Sequence, residues 1–180
     1  MISKNKRLLQ RLRVPLGFVI AGVFLLFADP KPLTLLIGGI ISLIGLIIRA
    51  WSSGHIRKGE ILAVAGPYSF TRNPLYLGSL LLGIGFCLAS NVWWLALCFC
   101  ALFLCVYLPV MRVEAEDLTS EFGESYKEYA QNVPMFLPRF TAWKKTHEKF
   151  DFNLYLRYRE YRAAFGSLFA IIVLAAKAFF

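Results

Sequence analysis

The residues of this chain that could do chemistry are concentrated in two short stretches, each beside an apolar segment. The first is "GPYSFTRNPLYLG", residues 66–78, and the second is residues 112–140. In the first, Arg72 stands directly before Asn73 and Pro74, a pair that suits a helix cap and the first helical position. An arginine can bind a carboxylate through two parallel N–H donors, and a helix start favours an anion. The first stretch therefore predicts an anion-binding site at the start of a helix.

The second stretch places three acids, Glu114, Glu116 and Asp117, where an apolar segment ends. Ionisable groups that face inward at a membrane boundary tend to be functional. Further apolar residues recur at spacings of three and four, as on one face of a helix: Leu118, Phe122, Tyr126, Tyr129 and Val133. We expect an amphipathic helix on or under the bilayer surface, ended by Pro134.

Both stretches also have a purely structural interpretation. Arg72 could be a charge anchor, with Tyr68 and Tyr76 in an aromatic belt at the membrane surface. The glycines beyond them could serve ordinary helix packing: Gly78, Gly83 and Gly85. The acids could be a solvated helix end and the apolar face could be packing.

The composition indicates an integral membrane protein, since 58% of the 180 residues are hydrophobic and 17% are charged. The expected fold is all-α, a single polytopic membrane domain over residues 1–180 with about five transmembrane helices. The five apolar segments are Val14–Ala28, Leu33–Ile48 (stopping at Arg49), Pro74 to about Ala89, Val92–Met111 and Ala163–Phe180.

The basic residues predict the orientation of these helices. Of 20 lysines and arginines, 18 flank the segments on one side, five in the N-terminal tail, four in residues 49–74 and nine in residues 112–162. The positive-inside rule makes this side cytoplasmic, with the N-terminus inside. The net charge of +9 is then explained by topology and anionic lipid, and no motif for nucleic acid accompanies it.

The cysteines and histidines predict no metal site and no disulfide framework. All four cysteines lie inside apolar segments, no CxxC pair exists, and the two histidines, His55 and His147, are isolated from each other.

A turn at Ser90-Asn91 connects the third and fourth apolar segments. A helical hairpin of this kind returns the chain to the side where it started. We therefore expect residues 66–78 and residues 112–138 to lie side by side at the cytoplasmic face and to form one composite site.

With both stretches in view, the chain resembles the superfamily of isoprenylcysteine carboxyl methyltransferases and phospholipid methyltransferases. The resemblance covers residues of about 54–140 and leaves the last helix, residues 163–180, outside it. The matching positions of the first stretch are Gly66-Pro67-Tyr68, Arg72-Asn73-Pro74, Tyr76 and Gly78. Those of the second are Glu114, Leu118, Phe122-Gly123, Tyr126, Tyr129, Val133-Pro134 and Pro138.

The resemblance implies methyl transfer from S-adenosyl-L-methionine by a membrane enzyme. It implies catalytic roles for Arg72, Glu114 and Glu116. It implies a cofactor site formed by Gly66, Pro67, Tyr68, Arg72, Asn73, Tyr76 and Glu114. Because the acids read Glu-Ala-Glu-Asp rather than as adjacent glutamates, which two correspond to the superfamily pair stays open.

The resemblance leaves the methyl acceptor open among lipophilic small molecules and lipids. An isoprenylcysteine-like carboxylate, a lipid amine and a thiol are the three alternatives. A carboxylate is ionised at pH 7 and needs no base, whereas an amine must lose a proton and a thiol needs a lowered pKa. Two other functions stay possible at this point, an NADPH-dependent sterol-type reductase and a non-catalytic lipid-binding membrane protein. We expect the protein in a prokaryotic cytoplasmic membrane.

Overall fold

The computed structural model describes residues 22–57, 59–144 and 148–179, which are helical with short connections and contain no strand. After a helical run at 22–27, the elements are α1 (Pro32–Ser53), a 3-10 turn (Gly66–Ser69), α2 (Pro74–Ala89), α3 (Trp93–Phe122), α4 (Glu124–Asn132), α5 (Phe152–Arg157) and α6 (Tyr161–Phe179). The all-α prediction is confirmed.

Three of these helices, α1, α3 and α6, are long and apolar enough to cross a membrane. Helix α2 is apolar but has 16 residues, which gives a length of about 24 Å. Many large apolar side chains on these helices are exposed, as expected for surfaces that face lipid: Leu36, Ile40, Leu43, Leu97, Phe165 and Phe169 are examples. The fold is thus that of a polytopic membrane protein. The first predicted segment, Val14–Ala28, lies for the most part outside the described residues.

Small residues bring α1 and α2 together along their length. A Cβ atom added at Gly45 would lie 2.6 Å from the backbone oxygen of Gly78 and 2.6 Å from the backbone nitrogen of Leu82. Ser42 adds a hydrogen bond of 3.3 Å from its hydroxyl to the Leu82 carbonyl. Gly83 instead faces Phe99 of α3. The small residues therefore set a close approach of the helix backbones that larger side chains would prevent.

Two helices extend beyond the ends that we predict from the sequence. Helix α1 continues through Arg49 to Ser53. The Arg49 side chain forms an ion pair with Glu160, so its charge is compatible with a position inside the helix bundle. Helix α3 continues past Met111 to Phe122, so that the acids belong to the same helix as the preceding membrane span. An apolar segment ends where its hydrophobic residues end, whereas the helix itself can go on.

The predicted amphipathic helix is divided in two by Gly123, which has a φ of 54° and separates α3 from α4. Its apolar face is nevertheless buried: Tyr126, Tyr129 and Val133 form a cluster against which residues of α3 pack. The face is therefore used for packing within the protein and not for contact with the bilayer surface. Pro134 follows the end of α4, as expected.

At the end of the helices away from the Tyr126 cluster, the chain is held by the turn between α2 and α3 and by hydrogen bonds of Lys177. Asn91, with a φ of 58°, makes the tight turn between α2 and α3 at Ser90-Asn91. The Lys177 ammonium donates hydrogen bonds to the carbonyls of Leu25 and Ala28, at 3.0 and 2.7 Å, near the end of the helical run at 22–27.

Candidate functional site

The first stretch is held in place by the chain that follows α4. The Thr71 hydroxyl donates to the Phe136 carbonyl at 2.8 Å, and the Asn73 side-chain amide donates to the Met135 carbonyl at 2.8 Å. The Arg72 backbone N–H donates to the Pro134 carbonyl at 3.0 Å. The expected helix-capping bond of Asn73 is absent, because its side chain bonds to this crossing segment instead. The two stretches are thus joined directly, as the hairpin predicts.

Tyrosines of α4 hold Tyr68 and Arg72 of the first stretch in place. The Tyr129 hydroxyl donates to the Tyr68 carbonyl at 2.7 Å. Arg72 Nη1 donates to the Tyr126 hydroxyl at 3.2 Å, and the guanidinium carbon lies 5.9 Å from the centre of the Tyr126 ring. Among the described residues, no carboxylate forms an ion pair with Arg72.

Helix α2 meets α3 through a polar contact between the two stretches. The Tyr76 hydroxyl donates to Glu114 Oε1 at 2.7 Å, and the Tyr76 ring lies 5.1 Å from the ring of Tyr107. Tyr76 is in the first turn of α2 and Glu114 is in the last third of α3. This contact joins the two halves of the predicted site across 38 residues of sequence.

These contacts surround a cavity of about 740 Å³ at this end of the helices. A cavity of this size is typical of small-molecule and cofactor sites. Five of the predicted site residues line it: Tyr68, Arg72, Asn73, Tyr76 and Glu114. Its apolar lining includes Leu62, Leu75, Val110, Met111 and Leu118, and the acids Asp117 and Glu121 also line it. The structure therefore brings most of the sequence-predicted site to one cavity.

Two buried polar atoms of this cavity have no hydrogen-bond partner in the described part of the chain, the Tyr68 hydroxyl and Arg72 Nε. Burial raises the pKa of Tyr68 well above its ordinary value, and the neighbouring Tyr129 and Glu114 raise it further. The Tyr68 hydroxyl is therefore a neutral donor at physiological pH. Buried polar groups without partners are rare in native proteins, and a polar ligand would satisfy both of these.

Three predicted site residues lie outside the lining of the cavity. Gly66, with a φ of 54°, packs against the ring of His55, where a Cβ atom would approach to 2.8 Å. Pro67 is buried in the 3-10 turn and faces a separate apolar groove beside Trp51. Glu116 is on an exposed side of α3. Gly66 and Pro67 begin the 3-10 turn that contains Tyr68, which does line the cavity.

Sequence analysis missed one group that lines the cavity, namely Arg49, Ser79 and Glu160. Arg49 follows directly after an apolar run, a position that is typical of a charge at a membrane boundary. Glu160 lies in "NLYLRYREYR", a stretch that has the pattern of an interfacial anchor. The available signal was the unusual acid inside a basic, aromatic segment, and it gives no indication of its partner 111 residues earlier.

The fold and the cavity define a class, an all-helical membrane protein with a cofactor-sized cavity at one end of its helices. Within that class the chain belongs to the phospholipid methyltransferase family, whose family model matches residues 33–125. The match includes the cavity-lining residues of α1, α2 and α3, and it ends at the start of α4.

Curated relatives carry two kinds of description. The cobalt-zinc-cadmium resistance protein CzcN of Cupriavidus metallidurans is 34% identical over 143 residues, 73% of this chain and 64% of that protein. The nickel-cobalt-cadmium resistance protein NccN of Alcaligenes xylosoxydans xylosoxydans is 32% identical over 98 residues, 53% of this chain and 46% of that protein.

The second kind of description is enzymatic. Methanethiol S-methyltransferase 2 of Bradyrhizobium diazoefficiens is 33% identical over 82 residues, 46% of this chain and 30% of that protein. The chain thus spans less than two thirds of the length of each of these relatives. No solved structure matches the chain with significance.

Proposed function

We propose that this chain transfers a methyl group from S-adenosyl-L-methionine to a small lipophilic acceptor at the cytoplasmic face of a membrane. The observation that carries the proposal is the cavity in which both stretches meet, in a chain of the phospholipid methyltransferase family. The two unpartnered buried atoms, the Tyr68 hydroxyl and Arg72 Nε, support a polar ligand in that cavity.

The residues present fit this cofactor. Arg72, held by Tyr126 and with Nε unpartnered, would bind the methionine carboxylate through parallel N–H donors. Glu114, which already accepts a hydrogen bond from Tyr76, would bind the amino group. Tyr68 and Asn73 would shape the pocket around these charges, and the turn at Gly66 and Pro67 would present Tyr68. Glu116, on the exposed side of α3, has no role in this arrangement.

When bound, the cofactor supplies an electrophilic methyl group on a sulfonium, and its transfer to the acceptor leaves S-adenosylhomocysteine. The protein then contributes mainly position and exclusion of water. The apolar lining from α2 and α3 excludes water, while Arg72 and Glu114 fix the orientation of the cofactor. A thiol or ammonium acceptor also releases one proton, which goes to water or to a carboxylate of the cavity that does not hold the cofactor.

The proposed acceptor is one of three, an isoprenylcysteine-like carboxylate, a lipid amine or a thiol. The name of the Bradyrhizobium relative makes a thiol the first acceptor to assay. Acceptors of all three kinds partition into the bilayer when they carry an alkyl chain, which suits a cavity at the end of membrane-spanning helices. Most lysines and arginines flank the helices at the end where the cavity lies. This excess supports a cytoplasmic location for the site and for the N-terminus.

Calorimetry on protein purified in detergent tests the proposed function. We expect S-adenosylhomocysteine to bind with a dissociation constant in the micromolar range, about 8 kcal/mol at 1 μM, and NADPH to give no heat of binding. Binding of NADPH alone would favour a sterol-type reductase. No binding of either ligand at millimolar concentration would favour a non-catalytic lipid-binding protein.

A further inference from the structure

One polar cluster of the cavity has no role in the cofactor assignment. Arg49 and Glu160 form an ion pair in which Nε and Nη2 of the guanidinium donate to the carboxylate at 2.8–3.0 Å. Arg49 Nη1 also donates to the Ser79 hydroxyl. The exposed fractions of the two charged side chains are 22% and 13%. We call Arg49, Ser79 and Glu160 the paired cluster.

Two local features of the backbone position the side chains of the paired cluster. A Cβ atom at Gly78 would lie 2.7 Å from Cγ of Arg49, so the glycine makes room for the arginine side chain. Arg159, with a φ of 57°, turns the chain between α5 and α6 and thereby places Glu160. Both α5 and α6 lie beyond residues 33–125, so a segment outside the family match contributes a side chain to the cavity.

The paired cluster lies further along the apolar helix α2 than Arg72 does. Ser79 is five residues after Pro74 in α2, which places it about 7.5 Å further along the helix axis than the start of that helix. Arg72, at the other end of the cavity, precedes the helix start. The paired cluster is therefore nearer than Arg72 to the middle of the apolar helix α2, on which a lipophilic molecule would lie.

Tyr68 lines the same cavity as the paired cluster. Its hydroxyl is buried and unpartnered among the described residues, and the charges of both Glu114 and Glu160 act on it. Tyr68 itself is 6% exposed. The Tyr68 hydroxyl is thus a donor that no hydrogen bond of the described protein uses, and it is available to a ligand in this cavity.

We propose that the paired cluster is the acceptor end of the cavity and takes the uncharged hydrogen-bonding head of an alkyl-chain molecule, a thiol among the three acceptor classes. The proposal rests on the proposed function. Because Arg49 and Glu160 neutralise each other, a carboxylate or an ammonium head would enter without a counter-charge, which is costly in a half-buried site. A thiol is mainly uncharged at pH 7, since its ordinary pKa is about 8.5.

Cysteine labelling in nanodiscs tests the acceptor end without knowledge of the natural acceptor. In a background in which Cys87, Cys98, Cys100 and Cys105 are replaced by alanine, the variants Ser79→Cys and Ala115→Cys report on the two ends. Ala115 lines the cavity beside Glu114 and packs on the Tyr126 cluster. An alkyl methanethiosulfonate labels each variant with and without S-adenosylhomocysteine, and mass spectrometry gives the rate.

The proposal expects different protection at the two positions. S-adenosylhomocysteine slows the labelling of Ala115→Cys at least tenfold and that of Ser79→Cys less than twofold. Octanol slows the labelling of Ser79→Cys at least fivefold, whereas octanoate and octylammonium, matched in chain length, do not. Equal protection of both positions by S-adenosylhomocysteine would overturn the proposal, and so would equal protection by the charged probes or a position 79 that no alkyl reagent labels.

A charge variant adds an independent readout. Glu160→Gln leaves Arg49 without its counter-charge, so octanoate should now protect Ser79→Cys. Glu128→Gln, which removes an exposed partner of Lys144, is the matched control and should leave the pattern unchanged. An unchanged pattern in Glu160→Gln would also count against the proposal. Octanol protection without any effect of S-adenosylhomocysteine at either position would reject the methyltransferase function and with it the acceptor role, and would leave a binding site for an uncharged head group.

Discussion

Two arginines line the same cavity with different sets of partners. Arg49 donates to a carboxylate and to a serine hydroxyl, so its guanidinium is used by the protein itself. Arg72 is held by a tyrosine hydroxyl, forms no ion pair among the described residues and has a buried Nε without a partner. Of the two arginines, Arg72 is therefore the one that we propose to bind a ligand carboxylate.

The variant Arg72→Lys tests this role. Lysine keeps the charge but loses the planar pair of donors, so a residue that only anchors the protein in the membrane should tolerate the change. Losing a charge-assisted hydrogen bond costs about 1.5–3 kcal/mol, and we expect the affinity for S-adenosylhomocysteine to fall roughly 10- to 150-fold. Calorimetry gives the affinity. Arg139→Lys changes a partly exposed arginine that donates to the Asn132 carbonyl and does not line the cavity, and this control should keep parental binding.

Tyr129 predicts a loss of stability in alkaline solution. Burial raises the pKa of Tyr129, the nearby Tyr126 raises it further, and Arg72 lowers it by a smaller amount. The folded protein therefore holds this proton more tightly than the unfolded chain, whose tyrosines titrate near pH 10. The stabilisation is complete below that pH and is lost as the pH rises above it.

The measurement is the melting temperature in detergent between pH 8 and pH 11. Tyr129→Phe loses the hydrogen bond to the Tyr68 carbonyl and should be about 1 kcal/mol less stable at pH 8. The variant should also lose less stability than the parent between pH 10 and pH 11. Parallel curves for parent and variant would show that Tyr129 does not contribute to the alkaline transition.

At the scale of the elements, sequence patterns predict the hairpin and its packing better than the helix ends. The apolar runs, the prolines and the Ser90-Asn91 turn define α2 and α3. These signals depend only on residues that are close together in the sequence. The extension of α1 past Arg49 depends on Glu160, which is distant in sequence and comes close only in the folded protein. For the same reason the sequence predicts that Arg72 and Glu114 belong to one site, but it does not predict that Glu160, between α5 and α6, also lines the cavity.

The close packing of α1 on α2 gives a prediction with a matched control on the same helix. Gly45→Ala would place a methyl group 2.6 Å from backbone atoms of α2 and should destabilise the protein by about 1–3 kcal/mol. Gly39→Ala meets no atom within 4 Å and should be neutral or slightly stabilising, since alanine favours a helix. Thermal unfolding in detergent compares the two. Equal melting temperatures would show that the helices separate without cost.

At the scale of the whole molecule, the helices have two different ends. We call the end with the cavity the site end and the end with Lys31 and Lys177 the lysine end. Lys31 and Lys177 belong to the lysine end, where Lys177 bonds to carbonyls just before α1. The cavity and the connections on both sides of α4 belong to the site end. This division agrees with the separation of basic residues along the sequence.

Single-cysteine labelling in oriented membrane vesicles tests this division. In the background without native cysteines, Glu60→Cys and Lys127→Cys should react with an impermeant maleimide from one side, and Lys31→Cys from the other. These three side chains are exposed. The positive-inside rule predicts that the shared side of positions 60 and 127 is cytoplasmic. Labelling of these two positions from opposite sides would separate the two halves of the site.

The ion pair between Arg49 and Glu160 also has a consequence for biosynthesis. Arg49 is synthesised 111 residues before its partner. At about 5–20 residues per second, α1 exists for roughly 6 to 22 s before Glu160 leaves the ribosome. In that interval the long Arg49 side chain can reach the headgroups from the last turns of α1. The final inward position of Arg49 is therefore reached only when the chain is nearly finished, and a nascent chain that stalls before α6 carries an unpaired charge at its membrane boundary.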